Sequence, residues 1–96
     1  MIISSWNVNS VRARIENIKD YIKKFSPDII LVQEIKTPNE TYPYDDIKSL
    51  KYESYVYGQK SYNGVAIISK KKLNNIQTDI FKDKNKQSRI ISAELK

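Results

Sequence analysis

A continuous apolar run, Ile-Ile-Leu-Val at positions 29–32, constrains the fold of this chain more than any other segment. Such a run is typical of a strand that is covered on both faces of its sheet. The preceding segment predicts a covering helix, because apolar residues recur there at alternating spacings of four and three. These residues are Val11, Ile15, Ile18, Ile22 and Phe25. Asn9 or Ser10 is the expected N-cap, and the helix is expected to end before Pro27.

A first strand is predicted before this helix, at residues 2–8. Strand, helix and strand in this order form a βαβ unit, whose strands are parallel and whose crossover is right-handed in nearly all proteins. The carboxyl ends of the two strands then lie at one edge of the sheet. Asn7 ends the first strand and Glu34 follows the second, so these two residues, distant in the sequence, are expected to be neighbours.

The rest of the chain predicts further strands of the same sheet. A loop at 37–44 and a short helix at 45–50 come first. The remaining expectations are strands at 52–57 and 65–69 joined by the loop 58–64, a strand at 76–81, an exposed turn at 82–86 and a strand at 89–95. In the last strand Ile90, Ser92 and Glu94 should share a face. We expect an α/β fold without an internal domain boundary across residues 1–96.

The composition excludes several kinds of chemistry within this chain. It contains neither histidine nor cysteine, which rules out Ser-His-Asp and Cys-His nucleophilic machinery, thiolate metal sites and the usual zinc sites. The lack of cysteine fits a cytoplasmic protein. No apolar run approaches the ~18 residues that a membrane span requires, and no signal-peptide pattern is present. We therefore expect a cytoplasmic protein with no membrane partner.

The charge of the chain points toward a polyanionic partner. Seventeen Lys and Arg stand against eleven Asp and Glu, for a formal net charge of +6. A basic balance of this size is typical of nucleic-acid binding. The chain is also rich in Lys, Ile and Asn, so compositional drift explains the charge equally well, and charge alone leaves both interpretations open.

Glu34 is the first candidate for chemistry. A carboxylate after a buried strand is most often a solvated strand end. The expected arrival of Asn7 at the same edge, with Asn9 two residues further on, favours a metal site instead, because carboxylate and amide oxygens suit Mg²⁺ or Mn²⁺. Mg²⁺ needs only one or two protein carboxylates. Glu34 and Asn7 are thus candidate metal-binding and catalytic residues. Asn9 is a candidate for supporting them without contacting the metal.

The loop Gly-Gln-Lys-Ser-Tyr-Asn-Gly at 58–64 is the second candidate. Its glycines permit close backbone approach, and a lysine, a tyrosine and an asparagine between them could bind phosphate and sugar. An ordinary polar hairpin loop is the alternative. Lys36 could balance Glu34 or reach a phosphate. Arg89, at the start of a strand, is either a further contact or merely exposed.

Four segments resemble, in order and spacing, the N-terminal part of the exonuclease III family of abasic-site endonucleases, within the endonuclease/exonuclease/phosphatase superfamily. They are SWNVNSVRAR (5–14), PDIILVQEIK (27–36), GQKSYNGVAI (58–67) and RIISAE (89–94). The resemblance covers essentially the whole chain. It implies a four-layer α+β sandwich, of which this chain holds roughly half. It also implies Mg²⁺- or Mn²⁺-dependent hydrolysis of the phosphodiester 5′ to an abasic site in duplex DNA, with 3′→5′ exonuclease activity at 3′ ends.

The resemblance also implies roles for single residues. Glu34 matches the metal-binding glutamate of the family, and Asn7 matches an asparagine that organises metal and scissile phosphate. Asn9 lies where some members carry an aspartate near the metal. Ser10 and Ile35 stand where many members have glycine and threonine. The residues that match DNA-contacting positions or fall inside the matching motifs are Lys60, Tyr62, Asn63, Arg89, Arg12 and Lys36.

The resemblance implies that the later motifs of the family, a tyrosine near the phosphate, an Asp-x-Asn motif and a terminal Asp-His pair, belong to the half of the family fold that this chain does not match, and the lack of histidine excludes the Asp-His pair from these 96 residues. We therefore expect little or no nuclease activity from these 96 residues alone, and an apolar sheet face that the C-terminal half of the family fold or a second copy of the chain would cover. A non-catalytic DNA-binding remnant and a truncated reading frame are the alternatives. For a bacterial protein the expected location is with the nucleoid.

Overall fold

The predicted βαβ unit is present at the start of the chain. The structure is a computed structural model that describes residues 1–78 and 87–95. Its elements are β1 (Ile3–Asn7), α1 (Ile15–Phe25), β2 (Ile29–Gln33), a 3₁₀ turn (Asn39–Thr41), α2 (Tyr44–Lys48), β3 (Glu53–Tyr57), β4 (Val65–Ser69), β5 (Asn74–Thr78) and β6 (Ile91–Glu94). The turn predicted at 82–86, and the strand predicted to continue through 79–81, lie outside the described residues. Neither helix of the described part is long and apolar enough to cross a lipid bilayer.

The first four strands in the chain form one sheet in the order β1-β2-β4-β3. β1 and β2 are parallel, with Asn7 opposite Gln33. β4 is antiparallel to both β2 and β3. Since Glu34 directly follows Gln33, the register brings Glu34 to the same edge as Asn7, as the sequence predicts.

The main core lies between this sheet and α1. Ile30 of β2 and Ile68 of β4 are fully buried on the face that α1 covers, and Ile18 and Ile22 pack against them from the helix. Their spacing of four residues puts both isoleucines on one side of α1. The helical periodicity seen in the sequence therefore reflects this packing.

The helix begins later than the sequence predicts. Residues 11–14 form a turn, and the helix starts at Ile15. The expected N-cap at Asn9 or Ser10 is therefore wrong: Arg14 is the N-cap and makes no side-chain capping bond. Ser10 caps only the preceding turn, where its Oγ accepts a hydrogen bond from the N–H of Ala13 at 3.2 Å. The N–H of Val11 donates to the carbonyl of Ile35 at 3.0 Å, so this buried apolar residue is held by the strand edge and not by the helix.

The last two strands form a separate two-stranded sheet, which corrects the expectation that all strands extend one sheet. In the connector after β4, the N–H of Leu73 donates to the hydroxyl of Tyr55 at 2.9 Å. Leu73, with Ile91 and Ala93 of β6, then packs on the sheet face opposite α1. Ser92 and Glu94, which alternate with Ile91 and Ala93 along β6, lie on the other face of the strand. The pair covers only part of that sheet face.

Asp28 ties the beginning of β1 to the beginning of β2. Its Oδ2 accepts a hydrogen bond from the N–H of Ile2 at 2.7 Å. This bond is the main cause that lowers the pKa of Asp28 below its ordinary value of 3.8, with smaller contributions from Lys70, the N-terminus and Lys71 and some opposition from desolvation. The ionised carboxylate is the form that the fold favours.

We expect Asp28 to contribute to acid unfolding. A group whose pKa is lowered by folding stabilises the fold above its unfolded pKa, and this contribution is lost as the pH falls through the folded pKa. The melting temperature of Asp28→Asn should therefore fall less steeply than that of the unchanged chain between about pH 4 and pH 2, as measured by circular dichroism. Asp45→Asn, which removes an exposed carboxylate of α2, should keep the original slope. Identical slopes for Asp28→Asn and the unchanged chain would contradict this account.

Candidate metal and nucleic-acid site

The parallel pairing of β1 and β2 continues beyond both strands. The N–H groups of Val8, Ser10 and Val11 donate to the carbonyls of Gln33, Glu34 and Ile35 at 3.1, 2.9 and 3.0 Å, respectively. The segments 8–11 and 33–35 therefore run side by side at the carboxyl edge of the sheet. This edge is where open α/β sheets commonly bind ligands.

Several residues of this edge have left-handed backbone conformations. The φ angles are 47° at Asn9, 89° at Ser10, 54° at Glu34 and 55° at Lys36. Such conformations are uncommon for residues other than glycine, and they concentrate at functional sites. Ser10 occupies the position where the resembling family often has glycine, and its φ is the most glycine-like of the four.

Asn7, Glu34, Lys36 and Asn9 form a connected polar cluster. Asn7 Nδ2 donates a hydrogen bond to Glu34 Oε2, and Lys36 Nζ donates one to Asn9 Oδ1. Lys36 Nζ also lies 3.8 Å from Glu34 Oε1. The N–H of Asn9 donates to Asn7 Oδ1 at 3.2 Å. The sequence prediction that Asn7 and Glu34 are neighbours is thus confirmed.

The oxygen donors at this cluster fit a hard divalent cation in part. The Glu34 side chain is 42% exposed, so its carboxylate is open to an ion that completes its coordination with water and substrate. Asn7 directs its amide nitrogen to Glu34, and its amide oxygen accepts from Asn9, so Asn7 fixes the position of the carboxylate. Within residues 1–78 and 87–95 there is no group of three acidic, histidine or cysteine side chains that could hold a metal by itself.

The loop 58–64 is bound directly to the segment after β2. The N–H of Ile35 donates to the carbonyl of Gly64 at 3.1 Å, and that of Lys36 donates to the carbonyl of Asn63 at 2.9 Å. Gly64 has a φ of 84°, and a Cβ at this position would lie 2.6 Å from Ile35 Cγ1. Glycine is therefore required for this close approach, which places Asn63 beside Glu34.

Gln59 and Ser88 connect this loop to the segment before β6, and the sequence analysis missed both. Gln59 Oε1 accepts hydrogen bonds from the N–H of Ser88 at 2.7 Å and from Asn63 Nδ2 at 3.4 Å. Ser88 is buried, and its Oγ donates to the carbonyl of Gly58 at 2.9 Å. In the sequence, Gln59 lies inside one of the family-like motifs and Ser88 lies next to another. The residue types glutamine and serine do not by themselves indicate that these side chains connect two segments.

These connections create an open cleft at the sheet edge. Its volume is about 230 Å³, and Glu34, Asn63 and Arg89 all line it. Arg89 is exposed, and its Nε donates to Gln87 Oε1 at 2.5 Å. A carboxylate and a guanidinium thus border one cleft, an arrangement that suits a phosphate group held between a cation and an arginine.

The other predicted DNA-binding residues lie around this cleft. Lys60 and Tyr62 are exposed on the loop 58–64, and the Tyr62 side chain is 68% exposed. Arg12 is exposed in the turn that follows the segment 8–11. The contacts within the described ranges link none of these three side chains to Glu34. They are therefore available to a ligand larger than the cleft itself.

This mixed α/β architecture is shared with solved structures of AP endonucleases. The chain belongs to the Endonuclease/Exonuclease/phosphatase family, whose family model matches residues 4–93. The resemblance that the sequence motifs indicate is thus confirmed.

Individual relatives place the chain more closely. It is 38% identical over 92 residues to exodeoxyribonuclease III from Haemophilus influenzae, covering 95% of this chain and 34% of that protein. It is 35% identical over 100 residues to the DNA repair nuclease APEX1 from Danio rerio, covering 98% and 32%. The structure of an AP endonuclease from Archaeoglobus fulgidus superposes with a TM-score of 0.90 at 32% identity, covering 97% and 37%. The chain therefore spans about a third of the length of these relatives.

Replacing Gln59 should loosen the loop from β6. In Gln59→Ala the buried N–H of Ser88 loses its acceptor, so we expect the free energy of unfolding to fall by about 1–3 kcal/mol in urea titrations, with faster amide exchange at Ser88. Gln77→Ala removes the same side chain from an exposed position of β5 and should leave both quantities nearly unchanged. Equal effects of the two substitutions would contradict a specific role for Gln59.

Proposed function

We propose that this chain supplies the metal-binding glutamate and part of the DNA-binding surface of a DNA repair nuclease of the exonuclease III type. The observation that carries the proposal is the Asn7–Glu34 pair, held by the parallel register beside a cleft that Arg89 also lines. The names of the relatives, an exodeoxyribonuclease, a DNA repair nuclease and an AP endonuclease, support the same activity.

The proposed substrate of the complete enzyme is duplex DNA that contains abasic sites or 3′ ends. Hydrolysis would cleave the phosphodiester 5′ to the abasic site, or release nucleotides in the 3′→5′ direction. Mg²⁺ or Mn²⁺, when bound, would neutralise phosphate charge and lower the pKa of a coordinated water. In this chain Glu34 would hold the ion, Asn7 would keep the Glu34 carboxylate in position, and Asn63 and Arg89 would bind the phosphate.

The exposed basic and aromatic side chains around the cleft would bind the DNA backbone on both sides of the scissile phosphate. Lys60 and Tyr62 are exposed on the loop 58–64, and Arg12 is exposed in the turn 11–14. Lys36 would contact a phosphate once an ion competes for Glu34. Phosphate contacts of this kind make binding strongly dependent on salt. We propose that the protein acts in the cytoplasm, where it binds DNA.

We further propose that these 96 residues have little turnover by themselves. The chain has no histidine, and among residues 1–78 and 87–95 Glu34 is the only carboxylate that lines the cleft. An attacking water would therefore need a base from outside the described part. A metal-independent DNA-binding module is the second candidate, and it is favoured by one observation: Lys36 already lies 3.8 Å from the Glu34 carboxylate.

A chimaera tests the role of Glu34. Residues 1–96 would replace the matching third of the Haemophilus influenzae exodeoxyribonuclease III, and nicking of a duplex with one abasic site would be measured in Mg²⁺. We expect the chimaera to nick, the isolated chain to show little nicking, and Glu34→Gln in the chimaera to lower kcat about 10²–10³-fold. Glu53→Gln, which alters an exposed glutamate of β3, is the matched control. An active Glu34→Gln chimaera would refute the assignment.

A second experiment measures DNA binding without turnover. Fluorescence anisotropy with a labelled duplex in EDTA should show weaker binding by Lys60→Gln, with a slope of log K against log salt that is less steep by about one. Tyr62→Ala should weaken binding without changing this slope. Lys48→Gln, which removes an equal charge from α2, should match the unchanged chain. Equal losses for Lys48→Gln and Lys60→Gln would indicate attraction by net charge alone.

A further inference from the structure

A second cleft lies at the other end of the sheet from Glu34, near the beginning of β2. It is open, with a volume of about 460 Å³, and it is lined by Ile22, Lys23, Ser26, Leu50, Lys51, Tyr52 and Lys70. Lys70 follows Ser69, which pairs with Ile29 at the beginning of β2, whereas Glu34 follows the end of β2. The two clefts are therefore separated by the length of this strand.

The charged groups of this cleft are three lysines from three parts of the chain. Lys23 lies in the last turn of α1, Lys51 follows α2, and Lys70 follows β4. All three are exposed, and the ion pairs of residues 1–78 and 87–95 involve other lysines. This convergence leaves the positive charge at the cleft without a paired carboxylate in the described part.

The charge of Asp28 acts on this region, and its carboxylate is already engaged. It affects Lys70 and the lining residue Tyr52 electrostatically, but its Oδ2 accepts the N–H of Ile2 at 2.7 Å. Lys23, Lys51 and Lys70 form no ion pair with a carboxylate among residues 1–78 and 87–95. The cleft therefore presents unpaired positive charge to a ligand.

The deeper part of the cleft is apolar. Ile22 and Tyr52 are buried, and Leu50 packs against the core beside them. The hydroxyl of Tyr52 donates to the carbonyl of Pro27 at 2.6 Å, so it is satisfied within the protein. A ligand that fits would combine a compact apolar body with an anionic group, and the cleft volume lies in the range of small-molecule sites.

We propose that this cleft binds a nucleotide, with the phosphate on Lys23, Lys51 and Lys70 and the nucleoside over Ile22 and Leu50. Lysine ammonium groups bind phosphate as point charges, and the apolar residues favour a base over a free inorganic ion. The nucleotide could be free or the phosphorylated end of a strand, since both present the same chemistry. The site is distinct from the metal-binding edge and does not depend on the proposed nuclease activity.

Calorimetric titration of the 96-residue chain with dAMP in EDTA tests this site. We expect one binding event, weakened about tenfold by Lys51→Gln and by Lys70→Gln. Inorganic phosphate should bind more weakly than dAMP, and deoxyadenosine should not bind measurably. Lys48→Gln removes a similar exposed lysine outside the cleft and should leave the affinity unchanged.

The outcomes distinguish a free nucleotide from the phosphorylated end of a strand as the ligand, and some of them would overturn the proposal. Tighter binding of a 5′-phosphorylated tetranucleotide than of dAMP would assign the site to a strand end, and the reverse order would assign it to a free nucleotide. No binding of dAMP would overturn the proposal. So would inorganic phosphate binding as tightly as dAMP, or equal losses for Lys48→Gln and Lys51→Gln. Binding that is lost in Lys60→Gln but kept in Lys51→Gln and Lys70→Gln would place dAMP at the nuclease site instead.

Discussion

The parallel pairing of β1 and β2 is the constraint on which the rest of the site depends. It puts Asn7 opposite Gln33, and its continuation through Val8, Ser10 and Val11 holds the two following segments side by side. A slip of one residue would turn Asn7 to the other face of the sheet, because side chains alternate along a strand. The burial of α1 against Ile30 prevents such a slip, so the apolar core determines the geometry of a polar site.

The second constraint is the attachment of the loop 58–64 to the end of β2. Gly64 permits the close approach, and Gln59 binds the loop to Ser88. These contacts join segments that are far apart in the chain, and they bring Arg89 to the cleft that contains Glu34. Glu34 and Arg89, which carry opposite charges, therefore line the same cleft. Backbone hydrogen bonds and the buried Ser88 hold the segments that carry them. The cleft at the other edge, for which we propose a nucleotide, is built differently, from lysines that have no paired carboxylate within the described ranges.

Much of the fold and part of the site could be predicted from local patterns. The helical spacing from Val11 to Phe25 and the apolar run after it predict the βαβ unit, and the parallel strands of that unit then predict that Asn7 and Glu34 meet. The hairpin strands β3 and β4 were placed correctly for the same reason, since their apolar content reflects burial. The start of the helix is predicted one turn too early. Val11 is buried and bonded to the end of β2, and the sequence does not distinguish an apolar residue buried in this way from one buried on a helix.

The sequence by itself determined which residues could take part in binding or catalysis, because residue type decides what can bind a cation or a phosphate. It also determined that the first two strands are parallel, because a helix connects them. The tertiary structure alone decided how these groups are connected. The hydrogen bond from Asn7 to Glu34, the role of Gln59 and the separate β5–β6 pair all depend on contacts between distant segments. Local periodicity carries no information about such contacts, since they arise only when the packed core brings the segments together.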